Sequence, residues 1–191
     1  EGTDFAFTSV DWLLDVKLNY FGAAKAFEGV GVIGVSATML SMDDIEITTF
    51  DNPDGTGEFY TATSYAIGAS YARQLTTQFS FGGSIKFLGE KIHNATANGV
   101  ALDFGTLLYT GFRSLRVGMS MSNVGSDMTF GGSDLDVNYD DRDGEGNNPG
   151  VTAQLKATPY DLPLLFRMGL AYDVQFGPKS LVTFAGEFKH P

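Results

Sequence analysis

Side chains able to do chemistry are sparse in this sequence, and their spacing defines no reaction. The two histidines, His93 and His190, are far apart and belong to no H-E-x-x-H or comparable pattern. Neither a zinc site nor a histidine-based triad is supported. There is no cysteine, which excludes disulfides, thiolate metal sites and a cysteine nucleophile. Gly29, Gly31 and Gly34 match G-x-G-x-x-G, but pyrophosphate binding needs a strand before that motif and a helix after it. Here Val35, Ser36, Ala37 and Thr38 continue a β pattern, so glycines at a hairpin explain the match. Asp140, Asp141, Asp143 and Glu145, set among Gly144, Gly146, Asn147 and Asn148, offer oxygen enough for Ca²⁺. Their spacing is not that of an EF-hand loop, and a solvated acidic loop is the preferred account. Asp103 is the one carboxylate centred on a polar strand face, and it reads as structural. Asn94-Ala95-Thr96 fits a glycosylation acceptor, informative only in a secreted eukaryotic protein. Nothing assembles an active site or calls for a cofactor, so the expected function is non-enzymatic.

The elements that carry these residues are strands. Leu164, Phe166, Met168, Leu170, Tyr172 and Val174 alternate with Leu165, Arg167, Gly169, Ala171 and Asp173, a period of two that separates an apolar from a polar face. Phe79, Phe81, Ile85 and Phe87 alternate in the same way with Ser80, Gly82, Ser84 and Lys86, and Leu115, Val117, Met119 and Met121 with Arg116, Gly118, Ser120 and Ser122. No segment of helical length carries an apolar stripe at 3.6-residue spacing. The pattern predicts eight strands at about 15–27, 30–42, 60–74, 79–90, 99–110, 115–123, 163–174 and 181–189. Most exceed the usual five or six residues and reach the nine to eleven or so that cross a bilayer at a tilt.

No helix could span a bilayer. The longest charge-free runs, Gly29 to Met42 and Phe59 to Ala72, have 14 residues each, against about 20 for a spanning helix. Only a helix or a closed barrel satisfies its backbone in lipid, so a membrane assignment here requires a barrel. The predicted connections support one. They alternate short and long, with the longer ones at 43–59, 91–98 and 124–162, as in an up-and-down barrel with tight turns at one end and exposed loops at the other. The expected fold is therefore an all-β, antiparallel up-and-down transmembrane β-barrel, in a single domain over 1–191. Asp103, Arg167 and Asp173 on the polar faces are expected to look into its lumen. Trp12, Tyr71, Phe79, Tyr109, Phe112, Phe176 and Phe188, near strand ends, are candidates for aromatic girdles. A soluble β-sandwich surface or adhesin domain would alternate too, but its Greek-key connections have no reason to sort by length.

The charge is concentrated. Six acids and no base fall within 43–58, and six acids with only Arg142 within 134–145; together these account for the whole net charge of −11. Acidity confined to loops makes nucleic acid an unsuitable partner.

Several blocks resemble the PorV/PorQ family of outer-membrane proteins of the Bacteroidota, which share the FadL-like barrel. The most specific is Ile47-Thr48-Thr49-Phe50-Asp51-Asn52-Pro53-Asp54-Gly55-Thr56-Gly57-Glu58, similar to that family's paired Thr, Pro and Gly-Thr-Gly segment. Ser70-Tyr71-Ala72-Arg73-Gln74-Leu75-Thr76, Phe79 to Lys86, Asp103 to Tyr109 and Ser122-Asn123-Val124-Gly125 continue the likeness. It runs from about Trp12 to Val137 and resumes at Asp161-Leu162-Pro163-Leu164. The resemblance implies a location in the bacterial outer membrane, contact with its lipid, and a role in type IX protein secretion beside the translocon and its secreted cargo. The alternative it implies is a FadL-like channel for small hydrophobic compounds. Such a barrel has more strands than the eight predicted, so the chain is expected to form about eight strands of a larger barrel, as a processed or partial protein.

Overall fold

The computed structural model describes residues 2–12, 15–139, 150–177 and 180–191. Its strands are β1 (Thr3–Asp11), β2 (Val16–Phe27), β3 (Gly31–Met42), β4 (Ile45–Glu46), β5 (Phe59–Tyr60), β6 (Ala62–Gln74), β7 (Phe79–Ile92), β8 (Ala95–Tyr109), β9 (Arg116–Gly125), β10 (Gly131–Gly132), β11 (Asp136–Tyr139), β12 (Val151–Gln154), β13 (Leu165–Phe176) and β14 (Ser180–His190). One sheet holds the nine long strands in the order β1-β2-β3-β6-β7-β8-β9-β13-β14, each antiparallel to the next, with β10 added beside β8. β4 with β5 and β11 with β12 form separate two-stranded ribbons. The protein is thus all-β with up-and-down connectivity. The sheet does not close on itself: β1 pairs only with β2, and β14 only with β13.

The eight expected strands are present, joined by β1. Its Phe5 and Phe7 alternate with Asp4, Ala6 and Thr8, a signal too short to separate from loop sequence without its partner. The connections also differ from expectation at 91–98. Pairing of β7 with β8 continues through Lys91↔Thr96 to Ile92↔Ala95, so that segment is strand closed by a turn at His93 and Asn94, not a loop. His93 adopts φ 53, the left-handed conformation that a two-residue hairpin demands. At one end of the sheet every connection is short, whereas the other end mixes tight turns with the two long segments.

The sheet sorts its faces over most of its area, the exception being the row Val10-Leu18-Leu40, which lies on the face of Ser36 and Lys86. The ladder rows Ala23-Val35-Ala69-Ile85-Leu102 and Phe21-Ala37-Ile67-Phe87-Val100 run across five strands on one face. The rows Phe104-Met121-Phe166 and Leu108-Val117-Leu170 extend that face onto β9 and β13. No second layer covers it among the described residues: Val35, Ile67 and Ile85 are each more than half exposed. Among the described residues the only buried apolar side chains are Ala97, Ala101 and Met128. The chain presents 13803 Å² of accessible surface, whereas a water-soluble globule of 20.5 kDa presents about 8,900 Å².

One irregularity preserves the sorting. Between β8 and β9 the register jumps from Leu102↔Val124 to Phe104↔Met121, two residues against three. Asn123 at φ 64 carries this bulge, a conformation asparagine tolerates better than most residues. Were β9 regular through Asn123, with no bulge, Val124 would turn to the polar face.

Candidate functional site

The opposite face is concave and polar. A trough of about 1070 Å³ runs along it from β6 to β14, and its lining includes Ser84, Asp103, Ser120, Arg167, Gly169 and Glu187. Small residues there leave room, because Gly82, Gly105, Gly118 and Gly169 share the ladder rows of Ala72, Ser120, Leu107 and Glu187. Charges in and beside the trough are paired. Lys86 Nζ lies 2.9 Å from Asp103 Oδ1, Arg116 Nη2 2.7 Å from Asp173 Oδ1, and Arg167 Nε 3.8 Å from Glu187 Oε1. Thr183 Oγ1 also donates to Asp173 Oδ1 at 2.8 Å, and Ser114 Oγ to the Asp173 carbonyl at 2.6 Å. Asp103, Arg167 and Asp173 therefore all sit on the face opposite the apolar one.

Asp103 has a structural task beyond its ion pair. Its Oδ1 accepts the Asn123 backbone N–H at 2.9 Å, while Lys86 Nζ donates to Asn123 Oδ1 at 2.7 Å. The carboxylate supplies the acceptor that the bulge removes from the ladder, and unpaired backbone groups away from water are costly.

The glycines of the sequence motifs are used as turns. Gly29 and Gly31, at φ 75 and 131, shape the β2–β3 hairpin, and β3 follows with no helix. In the segment 43–59, expected as a loop, β4 and β5 form an ordered ribbon. Thr56 Oγ1 donates to the Ile47 carbonyl at 2.8 Å, the Gly57 N–H to Glu46 Oε1 at 3.0 Å, and the Asn52 N–H to Thr49 Oγ1 at 3.1 Å. Gly55 and Gly57 take φ 120 and 78, with Pro53 between the two polar clusters. The Ca²⁺ candidates Asp140, Asp141, Asp143 and Glu145 lie outside the described residues. Of the aromatics proposed for girdles, Tyr71, Phe79 and Phe188 share the apolar face, whereas Tyr109 opposes Arg116 and lines the trough.

The sequence reading did not foresee that part of 124–162 folds inward. Beyond β9 the chain stays on the edge of β8, with the Ser126 N–H donating to the Val100 carbonyl at 3.1 Å and Gly131 opposite Thr96. Met128 and Tyr160 exchange both backbone hydrogen bonds at 2.9 Å, and Phe130 stacks on Tyr160 at 5.8 Å. The Tyr160 hydroxyl reaches over β8 to donate to Glu90 Oε2 on β7 at 2.9 Å. Burial, then the Glu90 contact, pushes the Tyr160 hydroxyl up to about 12, so it remains a donor at every physiological pH. At the hairpin tip, Asp134 Oδ2 accepts the Asn94 N–H at 2.9 Å and sits 2.8 Å from His93 Nδ1.

Two carboxyls on this flap respond to pH in opposite senses. The hydrogen bond with Asp161, then that neighbour's charge, pushes the Asp127 carboxyl above its ordinary range. Docking therefore takes up a proton, a contribution complete below the unfolded value of about 4 and lost as pH rises through the folded one. The Asn94 amide, supported by His93, holds Asp134 below its ordinary range; its contribution is present above the unfolded value and lost as pH falls through the folded one. The expected result is that Asp127→Asn flattens the pH dependence of Met128 and Tyr160 amide protection above pH ~4, measured by hydrogen exchange corrected for intrinsic rates. An unchanged profile in the variant would remove the Asp127–Asp161 pair from this account.

Fold and site together define an up-and-down antiparallel β-meander with an uncovered apolar outer face and a polar, charge-paired inner one. Comparison with protein-family models and with curated protein sequences finds no match.

Proposed function

We propose that this protein forms wall of a transmembrane β-barrel in a bacterial outer membrane and takes part in protein secretion there, without catalysing a reaction. The observation that carries the membrane reading is the uncovered apolar face. Contiguous apolar patches beyond several hundred Å² are rare on soluble monomers, and this one crosses the sheet. Its height fits lipid. On β6 the polar residues Thr63 and Arg73, which flank the apolar run Tyr65, Ile67, Ala69, Tyr71 on the same face, stand about 33 Å apart along the strand at about 3.3 Å per residue. Tilted by about 40°, they bracket a band of at most about 25 Å, the height of an outer-membrane barrel's apolar band, with a tyrosine next to each flank. In lipid the free edges of β1 and β14 must find partners, so barrel closure through these two edges is part of the proposal.

The secretion role rests on the resemblance to the PorV/PorQ family, in which the ordered, acidic 43–59 ribbon would be a contact surface for the translocon or for cargo. The FadL-like alternative needs a greasy lumen; Leu107 and Tyr109 in the trough's lining suit it, whereas Asp103, Arg116, Arg167 and Glu187 in the same lining weigh against it. A β-sandwich would need a second sheet over Ile67 and Ile85. Fractionation tests the membrane reading: the protein is expected in the outer-membrane fraction and to require detergent for extraction. Release in plain buffer as a folded monomer would sink it. Co-purification with a large barrel translocon or signal-bearing cargo then tests the secretion role, and failure to bind either in an organism encoding that machinery would overturn it.

A further inference from the structure

Three successive turns at the short-connection end each carry one base on or beside the apolar face. Lys25 comes just before the β2–β3 turn, in the ladder row of Ile33 and Tyr71. Arg73 lies near the end of β6, opposite Phe81 and next to Tyr71 on the same face. Arg113 stands in the β8–β9 turn. All three are exposed. Among the described residues none of them enters an ion pair, whereas Lys86, Arg116 and Arg167 of the concave face all do. Their neighbours are aromatic instead. Lys25 Nζ sits 5.2 Å from the centre of the Phe27 ring, and the Arg113 guanidinium 5.9 Å from that of Phe112. Described acids are scarce at this rim. Asp4 lies on the concave face, in the row of Ala24 and Gly34, Asp173 is bound to Arg116, and Glu28 is left in the β2–β3 turn. The six acids of 43–58 lie at the opposite end, between β3 and β6.

We propose that this rim binds the headgroups of anionic phospholipids in the periplasm-facing leaflet, with Arg73 and Lys25 as the central contacts. The inference rests on the barrel reading above: short turns face the periplasm in outer-membrane barrels, which puts Arg73 at headgroup level. Long basic side chains lay their stems along apolar surface and keep their charge at the interface, and aromatic rings hold the depth. With no carboxylate to neutralise it, the Arg73 guanidinium is free for a lipid phosphate, to which arginine donates two parallel hydrogen bonds. One row inward, Gly83 leaves space between Tyr71 and Phe104. A Cβ there would make only ordinary contacts, the nearest side-chain atom being Phe104 Cδ1 at 3.6 Å, so an acyl chain can lie in the dip beneath its own headgroup. The net charge of −11 by itself predicts repulsion of anionic lipid; attraction has to come from this rim.

Brominated lipids quench a neighbouring tryptophan, and the chain has only Trp12, beyond β1 at the long-connection end. Trp12→Phe with Phe81→Trp therefore sets the sole reporter opposite Arg73. This protein is inserted into vesicles mixing phosphatidylglycerol and phosphatidylcholine, with bromine on the acyl chains of one lipid or the other. The two quenching curves give the relative affinity of the lipids at the reporter. Phosphatidylglycerol is expected to be preferred about fivefold, the effect of one base beside charged headgroups, and the preference to weaken as salt screens the charges. Adding Arg73→Gln is expected to remove most of the preference, and adding Arg73→Lys to retain it. Equal affinity for the two lipids, or a preference undiminished by Arg73→Gln, overturns the site while the barrel stands. Quenching by neither lipid overturns the barrel reading, and the rim with it.

Discussion

Replacing Ile85 with arginine is expected to keep the protein out of the membrane, the largest single-residue effect that the proposed barrel allows. Ile85 is midway along β7, between Ala69 on β6 and Leu102 on β8, and is 53% exposed on the apolar face. In water such a position tolerates arginine freely, since exposed substitutions away from special features shift stability by roughly half a kcal/mol or less. In lipid the same change places a charge at the middle of the apolar band, a cost of about 2–4 kcal/mol on a barrel's outer face. Membranes and water therefore predict opposite outcomes. The control is Ser36→Arg, on the concave face between Gly22 and Gly68, which in the proposed barrel looks into an aqueous lumen. Folding into phospholipid vesicles, read by protease protection, should fail for Ile85→Arg and proceed for Ser36→Arg. Equal insertion of both would mean that the apolar face does not meet lipid.

The second large effect is expected at Asp103. Alanine there removes the acceptor for the Asn123 N–H and leaves Lys86 with Asn123 Oδ1 alone. Leaving a formerly bonded polar group unsatisfied costs about 1–3 kcal/mol. Both Lys86 and Asp103 retain about a quarter of their side-chain exposure, which moves the expected value toward the lower half of that range. Asp103→Asn keeps an acceptor for the bulge and should lose less. Thermal unfolding in detergent is the readout, with Ser120→Ala as the trough-facing control. Should Asp103→Ala melt with Ser120→Ala, the carboxylate does not hold the bulge.

Much of this architecture was legible along the chain because a strand advertises its two faces locally. Phe166, Met168 and Leu170 could be assigned to one face and Arg167 and Asp173 to the other from alternation alone, since consecutive side chains of an extended strand must point in opposite directions. The strand β1 was not legible, because Phe5 and Phe7 gain meaning only from Phe21 and Ala23 across the ladder. Nor was the hairpin at His93 and Asn94, where a left-handed histidine does the work usually given to glycine.

How the flap packs was hidden for a different reason. Met128 sits where a Cβ on Gly99 would stand 2.8 Å from its Cγ. Met128, Gly99, Tyr160 and Glu90 are scattered over β7, β8 and two arms of a long connection, and none stands out by type or by spacing. Asp103 was noticed as a charge on a polar face, yet its task as substitute acceptor depends on a bulge in the neighbouring strand. The sequence by itself determined eight of the nine long strands, the two faces of most of them and the confinement of excess acid to two segments, because these follow from local periodicity and composition. Only the tertiary structure decided that one face is uncovered, that the charges at the trough are paired, and that part of a long connection turns inward. Those facts depend on register between strands and on the space left by a missing Cβ, and neither quantity is written in any single stretch of chain.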